Sequence, residues 1–351
     1  MKNLFITSDA RGVGKTTFSL ALALRLTKEG HKVGYFKPIS DQKNDVDALH
    51  AKELLEMTED LSVVSPVVVS EYEYDMSKDQ AVELRQKIKD AYDSLRANYD
   101  FLIIESSKTM SYLSLLKLSA RELVAMVDAK VLFVVSGKQE GSIDSFLLGV
   151  SYFNDLDLPI VGGVLTLVPP QLFERFKTII CPRLKTNHGV TIHGIILEKG
   201  ELTAPTVAEL AEHIGATYLA GEEYAAEKLV ENYQVGAMEP DTALRYFRRS
   251  YHQAVITGGD RPAMAIAAME ADIACVVFTG NIHPPASLYG RAVDKKIPIL
   301  LMPDETYEVV RKITQNPIHG ILKAGQTSKL AEWDKAMDKL DYKAILEELK
   351  T

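Results

Sequence analysis

Residues 3–17 read Asn-Leu-Phe-Ile-Thr-Ser-Asp-Ala-Arg-Gly-Val-Gly-Lys-Thr-Thr, and no other stretch limits the possible folds as strongly. Leu4 to Ile6 is a short apolar run suited to a buried strand. A polar turn with two glycines follows, and Lys15-Thr16-Thr17 then opens an apolar helix. Strand, glycine-bearing loop and helix in that order make a cradle for phosphate. Gly12 and Gly14 let the backbone bend so that its N–H groups converge on phosphate oxygens. The helix start adds free amides and the positive end of its dipole. Arg11, Gly12, Val13, Gly14, Lys15, Thr16 and Thr17 are therefore the expected nucleotide-binding set. Lys15 is expected to reach the β/γ-phosphates and Thr16 to offer its hydroxyl to Mg²⁺, which makes ATP and Mg²⁺ the expected cofactors. The spacing departs from G-x-x-x-x-G-K-[ST] at one place, where Asp9 stands for the first glycine. A tight strand-to-helix turn with a chance Gly-Lys-Thr is the plainer alternative.

With 351 residues the chain is long enough for about two domains of ~150 residues and a further element. The formal net charge of -8 and the lack of a basic stripe argue against nucleic acid or an anionic membrane as partner. No apolar stretch approaches the ~20 residues of a membrane span, and the apolar run before Ser8-Asp9 is too short for a signal peptide. Cys181 and Cys275 lie far apart and read as free thiols. A cytoplasmic protein is expected.

Helix is expected over 16–28, ended by Gly30, and again over 46–57, 78–97 and 205–214. Strands are expected at 4–6, 32–36, 101–105, 131–135, 160–165 and 192–197. Residues 62–70, rich in valine, suggest a strand or an extended segment. Aliphatic strands alternating with helices imply an α/β fold, a parallel sheet with helices on both faces. Ligands in such folds bind at the carboxyl ends of the strands. That rule gathers Lys37, Glu105 and Gly137-Lys138 beside the phosphate loop. Glu105, ending an aliphatic strand, suits a metal-binding acid. Asp45 and Asp47 supply two more carboxylates on a neighbouring loop. Thr16, Asp47 and Glu105 form the expected metal set, and Lys15, Lys37 and Lys138 the expected catalytic cations. Singly, each has an ordinary alternative as a capping or solvated surface residue.

Gly12-Val13-Gly14-Lys15-Thr16-Thr17, Gly34-Tyr35-Phe36-Lys37-Pro38-Ile39, Asp47-Ala48-Leu49 and Gly137-Lys138-x-x-Gly141-x-Ile143-Asp144 occur in order. In these motifs residues 1 to 220 resemble the dethiobiotin-synthetase-like branch of P-loop proteins. That branch also includes cobyrinic acid a,c-diamide synthase and the N-terminal domain of long phosphotransacetylases. The resemblance implies that Lys15 and Thr16 hold phosphates and Mg²⁺, that Asp47 and Glu105 help hold the metal, and that Lys37 meets the γ-phosphate or an activated carboxylate. It also implies chemistry in which ATP activates a carboxylate or carbamate for attack by an amine. The chain departs from the branch at Ser106-Ser107-Lys108-Thr109-Met110, where a glycine-rich turn is usual. It departs again at Thr166-Leu167 in place of a base-holding Asn-Lys, and at Glu198-Lys199-Gly200-Glu201. Ala10-Arg11-Gly12 lacks the signature lysine of the ParA/MinD ATPases.

A second, smaller α/β domain is expected over 221–320, with a helical tail over 321–351. Helix is expected over 242–249 and from 304, and strands at 253–256, 273–278 and 298–302. Val235-Gly236-Ala237-Met238, Ala243-Leu244-Arg245-Tyr246-Phe247, Ile256-Thr257-Gly258-Gly259-Asp260-Arg261 and Phe278-Thr279-Gly280-Asn281 resemble the DRTGG domain. Thr257, Gly258, Gly259, Asp260, Arg261, Thr279, Gly280 and Asn281 are candidates for an unknown small-molecule ligand. Glycine turns at a subunit contact are the alternative. The combined resemblance is to the non-catalytic N-terminal half of long phosphotransacetylases, here as a free-standing version. Three readings stand: a nucleotide-binding regulatory protein, expected to be a homo-oligomer; an ATP-dependent carboxylate–amine ligase; and a scaffold that binds no nucleotide.

Overall fold

The computed structural model describes residues 2–69, 75–315, 320 and 322–350. The chain forms two compact units. The first is Met1–Lys199 with Leu322–Ala324 and Leu330–Thr351, and the second is Gly200–Ile321 with Gly325–Lys329.

In the first unit the strands are β1 (Lys2–Thr7), β2 (Val33–Phe36), β3 (Ile39–Ser40), β4 (Val67–Val68), β5 (Phe101–Glu105), β6 (Lys130–Ser136), β7 (Ile160–Val168) and β8 (Ile192–Leu197). Six of them form one sheet in the order β2-β5-β1-β6-β7-β8, and β3 pairs with β4. Every neighbouring pair of the six runs parallel. Phe101, Leu102, Ile103 and Ile104 are all buried, as a strand covered on both faces requires. Helix α1 (Lys15–Lys28) buries Phe18, Leu20, Ala21, Leu22, Ala23 and Leu26. It is apolar nearly all round because it lies within the core rather than on its surface. Helix α2 (Val46–Leu54) starts at Asp45, whose carboxylate accepts from the Ala48 amide.

Residues 62–70 differ from the extended expectation. Leu61–Val64 is a helical turn, Pro66 stops it, and only Val67–Val68 is strand; residue 70 lies outside the described residues. The tail is two helices, Thr327–Met337 and Tyr342–Glu348, separated by a short turn. Asp341 breaks it by accepting from the Ala344 amide at 3.1 Å and capping the second helix. Arg25 of α1 pairs with Asp338 at 2.7 Å and with Asp334 at 3.2 Å, which ties the tail to the helix that follows the phosphate loop.

In the second unit the strands are β9 (Thr217–Ala220), β10 (Asn232–Val235), β11 (Gln253–Gly258), β12 (Ile273–Thr279) and β13 (Ile299–Leu301). Their order is β10-β11-β12-β13-β9, with β9 antiparallel to β13 and the others parallel. Each face of this sheet has its own apolar cluster. One is built on Leu210, Ile256, Val277 and Val309, the other on Phe247, Val255, Phe278 and Leu288.

Candidate functional site

The parallel register sets the site. Ile6 of β1 stands beside Glu105 of β5, and Phe36 of β2 stands beside Ile104. The phosphate loop, Glu105 and Lys37 therefore leave three adjacent strands at the same end of the sheet.

Gly12 and Gly14 have φ of 69° and 81°, a left-handed backbone that side chains resist. Open space surrounds the point where a Cβ on Gly14 would lie. No side chain caps α1, and its first turn carries no acid, so the helix opens with its amides free of an internal anion. The Thr7 hydroxyl just before the loop is buried without a partner. From the β7 tip, the Thr166 hydroxyl donates to the Val13 carbonyl at 2.6 Å and braces the loop.

Around Thr16 the expected groups come together. Its hydroxyl donates to Glu105 Oε1 at 2.6 Å and lies 3.4 Å from Asp47 Oδ2. Lys37 Nζ contacts Asp47 at 2.5 Å and Asp45 at 2.8 Å. Asp45 also accepts from the Ser40 hydroxyl at 2.6 Å. Tyr35 donates its hydroxyl to Glu105 Oε2 at 3.0 Å. Lys15 Nζ donates to the carbonyl oxygens of Ser107 and Lys108.

The electrostatics follow from that packing. Burial raises the Glu105 carboxyl above its ordinary value, while the Lys37 ammonium pulls it back down. Burial pushes Lys15 down to about 8, against the attraction of Glu105. Burial also disfavours charge on Lys37, but Asp47, Glu105 and Asp45 overcome it and hold the ammonium protonated. At Asp9, which replaces the loop's first glycine, burial raises the carboxyl, and amides of the loop and the Ser145 hydroxyl oppose it.

These residues fit a nucleotide with Mg²⁺. Left-handed glycines and free helix amides suit phosphate, and a hydroxyl with two carboxylates suits a cation that takes its other ligands from phosphates and water. Among the described residues no cluster of three or more His, Cys, Asp or Glu makes an all-protein metal cage.

Lys138 stands apart in character. It is exposed and pairs with Glu198 at 3.3 Å. Tyr35, the Thr166 hydroxyl and the carbonyls of Ser107 and Lys108 join the site without having been expected there, and Asp45, expected only as a loop carboxylate, proves to be a direct partner of Lys37. For Tyr35 the available signal was its place on the strand that ends just before Lys37.

In the second unit, Gly258 stands beside Thr279, so Thr257 to Arg261 and Thr279 to Asn281 meet at the ends of adjacent strands. A Cβ on Gly259 would lie 1.7 Å from the Ile282 carbonyl oxygen, so only glycine fits between the two loops. Arg261 donates to the carbonyl oxygens of Gly236 and Met238, the latter at 2.8 Å, and Thr279 bonds the Thr306 hydroxyl at 2.8 Å. Asn281 and Gly280 both have positive φ, at 54° and 76°, and Asp260 is exposed.

A family profile for the AAA domain matches residues 2–222, more than half the chain. The chain belongs to this AAA-domain family. A second profile, for the DRTGG domain, matches residues 209–316. A phosphate acetyltransferase of Nitratidesulfovibrio vulgaris is 23% identical over 93% of this chain and 49% of its own length. The chain thus spans about half the length of that relative. An ATP-dependent dethiobiotin synthetase BioD of Methanocaldococcus jannaschii is 28% identical over 47% of this chain and 79% of its own. Among solved structures, cobyrinic acid a,c-diamide synthase from Mycobacterium smegmatis, with a bound ATP analogue and magnesium, is 17% identical. It covers 51% of this chain and 82% of that one, with a TM-score of 0.34. The AAA and DRTGG profiles bear out the resemblance drawn from the motifs. No helix among the described residues is long and apolar enough to cross a membrane.

Proposed function

We propose that the chain is a nucleotide-binding regulatory protein that takes ATP with Mg²⁺ at the phosphate loop. Its DRTGG domain would serve as a ligand-sensing or self-association module. The observation that carries this reading is the connected set Thr16–Glu105–Asp47–Lys37 beside the loop glycines. Gly12, Val13, Gly14, Lys15 and Thr17 would line the phosphates with Arg11 at the rim, and Thr16, Asp47 and Glu105 would face the metal. Bound Mg²⁺ would supply charge neutralisation at the phosphate oxygens.

A regulator is favoured over a ligase because Lys37, the lysine a ligase would turn toward its substrate, is clamped between two carboxylates. Lys138 points its charge at Glu198 instead. Thr166, where a base-holding amide is usual, has its hydroxyl taken up by Val13. The free thiols of Cys181 and Cys275 suit a reducing cytoplasm. In the second unit Thr257, Gly258, Gly259, Asp260, Arg261, Thr279, Gly280 and Asn281 remain the candidate ligand set. Arg261, already held by two carbonyls, would shape that site instead of binding in it.

ADP release separates the two activities. A regulator releases ADP slowly, and added carboxylates and amines leave the rate unchanged. Turnover that depends on one carboxylate–amine pair would establish the ligase instead.

A further inference from the structure

Tyr35 occupies a position that packing alone would fill with phenylalanine. It is fully buried on β2, in register with Ile103 of the parallel β5. Side chains alternate along a strand, so Glu105, two residues past Ile103, projects from the same face as Tyr35 and one step nearer the phosphate loop. Only a long side chain spans that diagonal. The phenol does so, donating to Glu105 Oε2 at 3.0 Å while Thr16 donates to Oε1 at 2.6 Å. A buried carboxylate with one donor on each oxygen has a fixed rotation. Without the phenol, one oxygen would be an unpaired buried acceptor and the group would turn to find another partner.

We propose that Tyr35 is the positioning residue for the metal-facing carboxylate of Glu105, fixing the oxygen shared with Thr16 as the one offered to Mg²⁺. This rests on the nucleotide–metal reading above. Removing a group that orients a ligating side chain typically costs about 10–100-fold in metal affinity. Tyr35 therefore acts on the metal through Glu105 and leaves the phosphate contacts of the loop alone.

The test is calorimetric titration of ATP into the full chain, first with a chelator present and then across a series of Mg²⁺ concentrations. It compares wild type, Tyr35→Phe, Glu105→Gln and the double variant. In Tyr35→Phe the metal-free affinity stays at the wild-type value and the Mg²⁺ midpoint weakens ~10-fold or more. In the Glu105→Gln background the same change adds nothing. An unchanged Mg²⁺ midpoint in Tyr35→Phe overturns the proposal, because a purely structural hydroxyl would lower the unfolding midpoint and leave the metal response intact. A further loss in the Glu105→Gln background also overturns it. If the phenylalanine variant does not fold, Tyr35→Met removes the hydroxyl with a smaller, flexible side chain that adapts to the space, and is read in the same way. ATP binding by the wild type that gains nothing from Mg²⁺ refutes the positioning role alone. No ATP binding under any condition refutes the nucleotide reading and this proposal together.

Discussion

At the scale of single residues, the site is a balance between burial and charge. Lys15 is taken out of water and its ammonium is pushed down to about 8 in the free protein. Phosphate oxygens favour the charged form, so nucleotide binding raises that value and takes up a proton wherever Lys15 has begun to lose its own. The sign is therefore fixed. Affinity is at its plateau below about 8 and falls as pH rises through that value, by up to about tenfold per pH unit. Calorimetry in buffers of different ionisation enthalpy should show proton uptake above that point; a flat affinity with no proton uptake would place Lys15 away from the phosphates. Thr166 acts on the loop through one hydrogen bond, its hydroxyl reaching back to the Val13 carbonyl. The same position thereby braces the loop.

At the scale of elements, the sheet sets how far each candidate can stray. Where β7 meets β8, Gly162 has φ of 139°, and a Cβ there would lie 2.3 Å from the Thr191 carbonyl oxygen. Gly162→Ala should lower unfolding stability by about 1–3 kcal/mol, because backbone on the next strand must move to make room. Denaturant unfolding measures this directly, and a midpoint equal to wild type would mean the strands can part there without cost.

The elements that were legible in the sequence are those with strong periodic signals. The strands at 101–105 and 192–197 and the helices starting at 16 and 78 lie within one or two residues of their expected ends. Long aliphatic runs and a glycine-lysine-threonine loop carry their own local physics. The elements missed lack such signals. β10 is Asn-Tyr-Gln-Val at the sheet edge, where nothing demands an apolar run. The helical stretch from Pro170 to His188 is mostly exposed and carries no clean apolar stripe. In the site, Lys15, Thr16 and Lys37 were legible because each comes after a strand, Glu105 because it ends one, and Asp47 as an acid in the polar stretch after Lys37. Asp45 was legible only as a loop acid, since its partnership with Lys37 depends on the turn between β3 and α2. Tyr35 was hidden because a buried tyrosine looks like core until its hydroxyl partner is placed.

At the scale of the whole molecule, each unit carries its own candidate site at the carboxyl ends of a mainly parallel sheet. The chain passes through the first unit, forms the second and then returns to the first. The returning tail buries Trp333, Met337, Leu340 and Ile345, so it is part of a core and not an appendage. Its pairing with Arg25 and Lys28 places it on the helix whose first residue is Lys15. Nucleotide binding at that helix start is read by calorimetry of the intact protein with ATP and Mg²⁺, repeated with Lys15→Ala. The wild type should bind, and the variant should lose binding while its unfolding midpoint stays unchanged. Equal binding by both proteins, or none by the wild type, would contradict nucleotide binding at that helix start.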